Sequence, residues 1–523
     1  MIKDNQILLG KAGDKEVVLY PKMFNRHGLI AGATGTGKTI TLKVIAESLS
    51  ELGIPTVISD VKGDLTGMIE QGDMGSIQER LDSMNITGFN VQKYPVHFFD
   101  IYQSEGHPIR ATVQSMGPLL LSRILDCTEA QQGILNIIFR VARDMELDLI
   151  DLKDLQAMAS YVGEHAKDFT LKYGNITRQS VGAIQRKLLE LEEQGGDIFF
   201  GEPELDLNDW FACDANGHGY VNILNAAQLI QRPAVYSMFL LWMLSSLFTT
   251  LPEVGDPDKP RFVFFFDEAH LLFDGMPKSL ISKIVQVVKL IRSKGVGVYF
   301  ITQSPSDIPN EVLAQLSNKV QHGLRAYTPS EQKAVKAAAQ GFRVNPKFNS
   351  EEAILNLGTG EALVSFLDED GRPSVVEYAK ILPPQCLMAA ANDATMQAAY
   401  SAQAPLQGKY GTAVDRESAY EMMAAAKEEQ EKADALAAER AAFEKEKAEF
   451  EAKKAKEEEA ARKKAEKEAE RAARAAEKKA EAEERAKQRK QEQRERQMAS
   501  LATSFTRTAG NQIVRGILGN LFK

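Results

Sequence analysis

The octet Gly32-Ala33-Thr34-Gly35-Thr36-Gly37-Lys38-Thr39 follows directly on the apolar run Leu29-Ile30-Ala31 and fills the phosphate-binding pattern G-x-x-x-x-G-K-[ST] at every fixed position. Such a loop works only between a buried strand and the first turn of a helix, so it commits this part of the chain to an α/β core. The glycines let the backbone curl around a polyphosphate with its N–H groups inward. Lys38 is long enough to reach the β and γ oxygens, and the Thr39 hydroxyl suits a magnesium ion. A helix is expected from Lys38 through Leu42, Val44, Ile45 and Leu49, its positive dipole end facing the same anion.

Short β-branched or aromatic runs recur along the chain: residues 54–59, 96–101, 220–224, 261–266 and 296–302, each bounded by Gly, Pro or charge. Their alternation with helical periods implies a doubly wound, mostly parallel sheet. Phe262-Val263-Phe264-Phe265-Phe266 is apolar at every position, as a central strand buried on both faces requires. Residues 7–20 read as two strands about a Gly13-Asp14 turn, and residues 319–324 as an edge strand. From about Leu119 to Pro203 the pattern is helical, with Leu135, Ile138, Phe139 and Ala142 on one face and Ile184, Leu188 and Leu189 on another, so an all-α insertion is expected there. The strand 374–378 is expected to close the core.

The expected organisation is therefore residues 1–118 as the first part of the core, 119–203 as the helical insertion and 204–382 as the rest of the core. A linker over 383–416, a long charged helix over 417–497 and an amphipathic segment over 498–523 follow. The long segment is built of Ala, Glu, Lys and Arg, and its large apolar residues Leu436, Phe443 and Phe450 stand seven apart. A solvated helix laced by ion pairs is the first reading and a coiled coil the second. At 1.5 Å per residue, about 80 residues would reach roughly 120 Å. The last segment carries Val514, Ile517, Leu518 and Leu521 at helical spacing beside Arg507, Arg515 and Lys523. Docking to a protein partner or self-association is its first reading, a membrane surface its second and an unfolded tail its third.

A hydrophobic content of 44% supports a substantial core, and a net charge of -9 argues against a protein that coats nucleic acid along its whole surface. A ring that threads DNA needs only a local positive strip. The three cysteines, Cys127, Cys213 and Cys386, have neither disulfide-framework nor zinc spacing, which fits a reducing cytoplasm. No apolar leader stands at the N-terminus, and the apolar stretch 238–248 is shorter than a bilayer span, so a buried helix and no transmembrane segment are expected.

Hydrolysis of a bound nucleotide also needs a carboxylate that orients the metal and a base for water. Asp267 and Glu268 end the Phe-rich run, where Asp267 is expected to hold magnesium and Glu268 to activate the attacking water. The next strand ends at Gln303, which is suited to sensing the γ-phosphate. Asp60 and Lys62, at the end of the strand after the phosphate-loop helix, border the same site. An arginine, often from a neighbouring subunit, meets the charge on a transferred phosphoryl group. Arg325 is the first candidate, with Arg292, Arg140, Arg143 and Arg178 as competitors.

With these residues in view, the chain resembles the HerA–FtsK superfamily of P-loop ATPases, and within it the bacterial HerA-like proteins. The resemblance is carried by residues 25–39 (Asn25-Arg26-His27-Gly28 into the phosphate loop), Asp60-Val61-Lys62-Gly63-Asp64-Leu65, residues 264–270 ending Asp267-Glu268-Ala269-His270, Arg292-Ser293-Lys294-Gly295 and Thr302-Gln303-Ser304-Pro305, over about residues 1–382. Leu324-Arg325 is similar to the arginine strand of HerA proteins. The resemblance implies a RecA-like P-loop core that binds ATP and Mg²⁺, assembly as a hexameric ring, and ATP-driven movement of double-stranded DNA. The β-barrel that precedes the motor in archaeal HerA is expected to be absent. A nucleotide-gated interaction protein or scaffold that moves no DNA is the alternative reading.

Overall fold

The computed structural model describes residues 1–273 and 278–498. The strands are β1 (Ile2–Lys3), β2 (Gln6–Ala12), β3 (Lys15–Leu19), β4 (Gly28–Ala31), β5 (Thr56–Asp60), β6 (Val96–Asp100) and β7 (His107–Pro108). They continue with β8 (Val221–Asn225), β9 (Phe262–Phe266), β10 (Val296–Thr302), β11 (Asn318–His322), β12 (Glu361–Ser365) and β13 (Glu377–Ile381). All belong to one 13-stranded sheet in the order β1-β2-β13-β12-β11-β4-β10-β9-β5-β8-β6-β7, with β3 on β2. From β11 to β7 every pairing is parallel; from β11 through β12 and β13 to β2 the pairing is antiparallel. The expected mostly parallel sheet is present, extended by an antiparallel wing that includes the β2–β3 hairpin.

Two cores sandwich this sheet. Phe262, Phe264 and Phe266 of β9 enter one with Trp210, Phe239 and Trp242, while Val263 and Phe265 enter the other with Ile58 and Tyr299. Alternate side chains on a strand point to opposite faces, so an unbroken apolar run is what burial on both faces demands. Each such side chain stabilises the fold by about 1.5–3 kcal/mol. The helix Pro233–Thr250 is long and apolar enough to cross a membrane by length and composition, yet most of it is buried against β9 and its neighbours.

Several boundaries differ from expectation. The helical segment begins at Val113, because the Thr112 side chain caps Ser115 N and the chain carries the helix through a kink at Gly117-Pro118. Its apolar stripes join the same core as β9 and complete one face of the sheet. Ile184 and Leu188 are buried there as expected, but Leu189 is exposed. The strand near residue 320 is not at an edge: β11 lies between β4 and β12. The closing strand is Glu377–Ile381 and not 374–378, since the Ser374 hydroxyl is used in a turn, donated to by Phe366 N, before the ladder resumes.

Residues 383–416, expected as a linker, pack along the globular part. They contain the helices Asp393–Ala402 and Ala404–Tyr410. Gln403 bonds both Phe98 N and Val96 O, covering the start of β6 that β7, paired only at Phe99 and Asp100, leaves open. Tyr410 is buried and contacts Asp209. The compact unit spans Met1–Ala426.

The long helix spans Ala419–Met498. At its base Glu421 Oε2 accepts from both Ser418 N and Ser418 Oγ, and buried Asp154 accepts from Ser418 Oγ at 2.6 Å and Tyr420 N at 2.8 Å. Further along, i,i+4 pairs such as Lys432–Glu428 and Lys463–Glu459, both at 2.6 Å, line its surface, and Leu436, Phe443 and Phe450 are exposed in the single chain. The expected amphipathic segment at 498–523, with Val514, Ile517, Leu518 and Leu521, lies outside the described residues apart from Met498.

Candidate nucleotide site

The phosphate loop hangs from the carboxyl ends of two strands. Gly32 N donates to Thr302 O at 3.2 Å and Ala33 N to Gly323 O at 2.9 Å. A side chain at Gly32 would put its Cβ 2.5 Å from His322 Cβ, so the backbone here packs too closely for any other residue. The helix Lys38–Glu51 begins after Gly37, which is left-handed at φ 113° and supplies no side-chain cap. The first-turn N–H groups are therefore open to an anion, and the helix dipole adds to that preference. Lys38 Nζ lies across its own loop, donating to Gly32 O at 2.7 Å and Ala33 O at 3.1 Å. Burial lowers its pKa, opposed by the charges of Glu268 and Asp267. Thr39 is half-buried at the second helical position.

Strand pairing brings the distant motifs alongside. β10 lies between β4 and β9, in register Thr302↔Ala31 and Phe300↔Phe266, so Asp267 and Glu268 emerge at the same edge as the loop. Asp267 N donates to Ser59 Oγ at 3.0 Å, and its carboxylate accepts Glu268 N at 2.9 Å. Burial, then the Glu268 charge, push the Asp267 pKa up to about 6. Such a half-buried carboxylate is costly unless a cation meets it. A hydroxyl at Thr39 and a carboxylate at Asp267 are hard oxygen donors, so these residues fit magnesium.

Glu268 is buried and left-handed at φ 46°, a rare conformation for a side chain of this size. Its Oε1 accepts from Lys62 Nζ at 2.8 Å, and Oε2 lies 3.4 Å from His270 Nδ1. Burial raises the Glu268 pKa, but the Lys62 bond and charge, together with the charges of His270 and Lys38, bring the net value down. Asp60 does not face a ligand with a free carboxylate. It accepts N–H groups of Lys62, Gly63 and Leu65 at 3.1, 2.8 and 2.9 Å and shapes the loop that presents Lys62. Gln303 is exposed at the end of β10, in an open cleft of about 440 Å³ with His270, Phe273 and Asp307. Larger cavities lie elsewhere, one of about 940 Å³ near the amino ends of β6 and β8.

The arginines separate. Arg325 lies three residues beyond β11, is exposed, and has no ion pair among the described residues. Arg292 lies 3.8 Å from Asp256 and Arg140 pairs with Asp144 at 3.0 Å, while Arg143 and Arg178 are exposed.

Three supports of the phosphate loop are not in the sequence reading. His322 lies behind Gly32, bonding Thr41 Oγ1 at 2.9 Å and Glu361 O at 2.8 Å; burial lowers its pKa to about 4 and keeps it neutral. Gly360 N donates to Thr36 O at 2.9 Å, and Arg80 Nη2 donates to Gly360 O at 2.6 Å. The Gly358-Thr359-Gly360 string was the available signal for the second, whereas nothing local marks His322 or Arg80.

Residues 5–523 match the family model described as Helicase HerA-like C-terminal. The DNA double-strand break repair helicase HerA of Saccharolobus solfataricus is 23% identical over 367 residues, 69% of this chain and 66% of that protein. The protein of the same description from Sulfurisphaera tokodaii is 23% identical over 373 residues, 70% of this chain and 67% of that one. This chain thus spans about two-thirds of the length of the curated relatives it matches. Among solved structures, VirB4 of Thermoanaerobacter pseudethanolicus superposes with a TM-score of 0.48 at 15% identity, covering 76% of this chain and 100% of that one.

Proposed function

The chain belongs to the helicase HerA-like C-terminal family, and from that premise we propose that it is a Mg²⁺-dependent ATP hydrolase. In this reading it acts in the cytoplasm as a hexameric ring that moves along double-stranded DNA. The observation that carries the reading is the convergence of Lys38 and Thr39, Asp267 and Glu268, and Gln303 at the carboxyl ends of the adjacent strands β4, β9 and β10. Ligands of open α/β sheets bind at this edge.

Residues 32–39 cradle the β- and γ-phosphates through open N–H groups. Lys38 leaves the loop carbonyls to meet the γ oxygens. Thr39 and Asp267 hold magnesium, which supplies charge neutralisation on the phosphates. Glu268 takes a proton from water as the water oxygen attacks the γ-phosphorus. The bond to the bridging β–γ oxygen breaks and ADP departs with that electron pair. Gln303 orients the water and registers the γ-phosphate, and Arg325 serves a neighbouring copy by stabilising the charge on the transferred group. Residues 498–523 dock a protein partner.

The test is the steady-state ATPase rate with and without long double-stranded DNA, with Lys38→Ala as the blank. Stimulation that grows with DNA length is expected. Glu268→Gln should keep nucleotide binding and lose about 10²- to 10⁴-fold in turnover. Hydrolysis indifferent to DNA would overturn the motor and favour a nucleotide-gated interaction protein whose long helix is presented to a partner.

A further inference from the structure

Lys62 and Glu268 are 206 residues apart, yet Lys62 Nζ and Glu268 Oε1 are 2.8 Å apart. The two ends of this contact are unequal. The Glu268 side chain is 6% exposed, and its buried Oε2 has no hydrogen-bond partner among the described residues, with His270 Nδ1 3.4 Å away. The Lys62 side chain is 43% exposed. An ion pair with one partner so open to water adds little to stability; it gives the buried Glu268 carboxylate a counter-charge at one oxygen.

The backbone beneath Lys62 is rigid. Asp60 accepts three N–H groups of the loop, those of Lys62, Gly63 and Leu65, and Gly63 takes a left-handed φ of 76°. Beyond it the short helix Asp64–Ile69 lies on the chain at residues 387–389, where a Cβ at Gly67 would come within 2.0 Å of Ala389 O. The loop cannot slide away from the site, so the reach of Lys62 towards Glu268 is set by the fold. Glu268 itself leaves the sheet in a left-handed conformation, a geometry that side-chain propensity would not choose.

We propose that Lys62 is the positioning residue for the base: its ammonium pins Oε1 of Glu268, so that Oε2 is the oxygen that takes the proton of the attacking water. This rests on the reading of Glu268 as the base in ATP hydrolysis. Lys62 touches neither water nor phosphate in this role and acts only through Glu268. A carboxylate with both oxygens free to rotate samples many orientations, and a small misplacement of a base is costly in rate.

Single-turnover hydrolysis of ATP by excess protein tests this in wild type, Lys62→Met, Lys62→Arg, Glu268→Gln and the Lys62→Met/Glu268→Gln pair. Affinity for a fluorescent non-hydrolysable ATP analogue is measured alongside. Lys62→Met should lower the rate by about 10- to 100-fold with the affinity within about twofold, and Lys62→Arg should recover most of the loss. In the Glu268→Gln background, Lys62→Met should cost less than about twofold more, because residues that act as one unit are not additive. An equal loss in both backgrounds, a wild-type rate in Lys62→Met, or a loss of analogue affinity matching the loss of rate would each overturn the role. A wild-type protein that turns over no ATP would sink the hydrolase reading and this role together; turnover by wild type with Lys62→Met unchanged sinks the role alone.

Discussion

Glu47 is fully buried on the phosphate-loop helix, and its carboxylate accepts Gln385 N at 2.9 Å and Cys386 N at 2.8 Å. It fastens the chain beyond β13 to the helix, beside Lys43, which donates to Leu387 O and Met388 O. Burial pushes the Glu47 pKa from 4.5 up to about 7, opposed by the bonds from Cys386 and Gln385 and by the Lys43 charge. The native state therefore binds this proton more tightly than the unfolded chain. Below about pH 4.5 both states hold it and there is no penalty. Between about 4.5 and 7 the native state holds more protons, so this group's contribution falls as pH rises, and above about 7 the whole penalty is present. At about 1.4 kcal/mol per unit, the swing is on the order of 3 kcal/mol.

Glu47→Gln removes this titration but accepts at only one oxygen. One of the two N–H groups is then left unpaired at about 1–3 kcal/mol. Near pH 5 the variant should be the less stable protein by about that amount, and near pH 8 the difference should vanish or reverse. Urea unfolding followed by the fluorescence of Trp210 and Trp242, both buried in the compact unit, reads the difference at each pH. Stability curves for the two proteins that stay parallel from about pH 5 to 8 would refute the assignment of the slope to Glu47.

Gly37→Ala puts a Cβ 3.1 Å from Gly360 N at a φ of 113°, so nucleotide-analogue binding should be lost while the melting temperature changes little; unaltered binding would argue against an anion at this helix start. Phe264→Ala, with its ring 4.9 Å from Phe262 and 6.0 Å from Trp210, should cost about 3–5 kcal/mol in denaturant unfolding. Asp154→Ala removes the acceptor for Ile150 N, Asp151 N, Ser418 Oγ and Tyr420 N, and should release the start of the long helix. Faster tryptic cleavage at Arg416, with the ATPase rate retained, is the expected sign, and unchanged cleavage would show that the base is held by other contacts.

The residues that meet at the carboxyl edge of β4, β9 and β10 are legible because each motif is a local pattern. Eight consecutive residues define the phosphate loop, and five apolar residues followed by Asp267-Glu268 mark a doubly buried strand and its carboxyl end. The long helix was legible for the same reason, since its composition is continuous over 80 residues. What could not be read were pairings between distant segments. That residues 318–322 lie inside the sheet depends on β12, more than forty positions later, and an antiparallel partner leaves no mark in the strand it joins. His322 behind Gly32, Arg80 behind Gly360, Glu47 under residues 385–386 and Lys62 against Glu268 are contacts of single side chains. Nothing in their own neighbourhoods predicts them, because hydrophobic periodicity reports which face of an element is buried and not which element covers it. Strand order made those choices, and strand order is decided by the packing of the whole sheet.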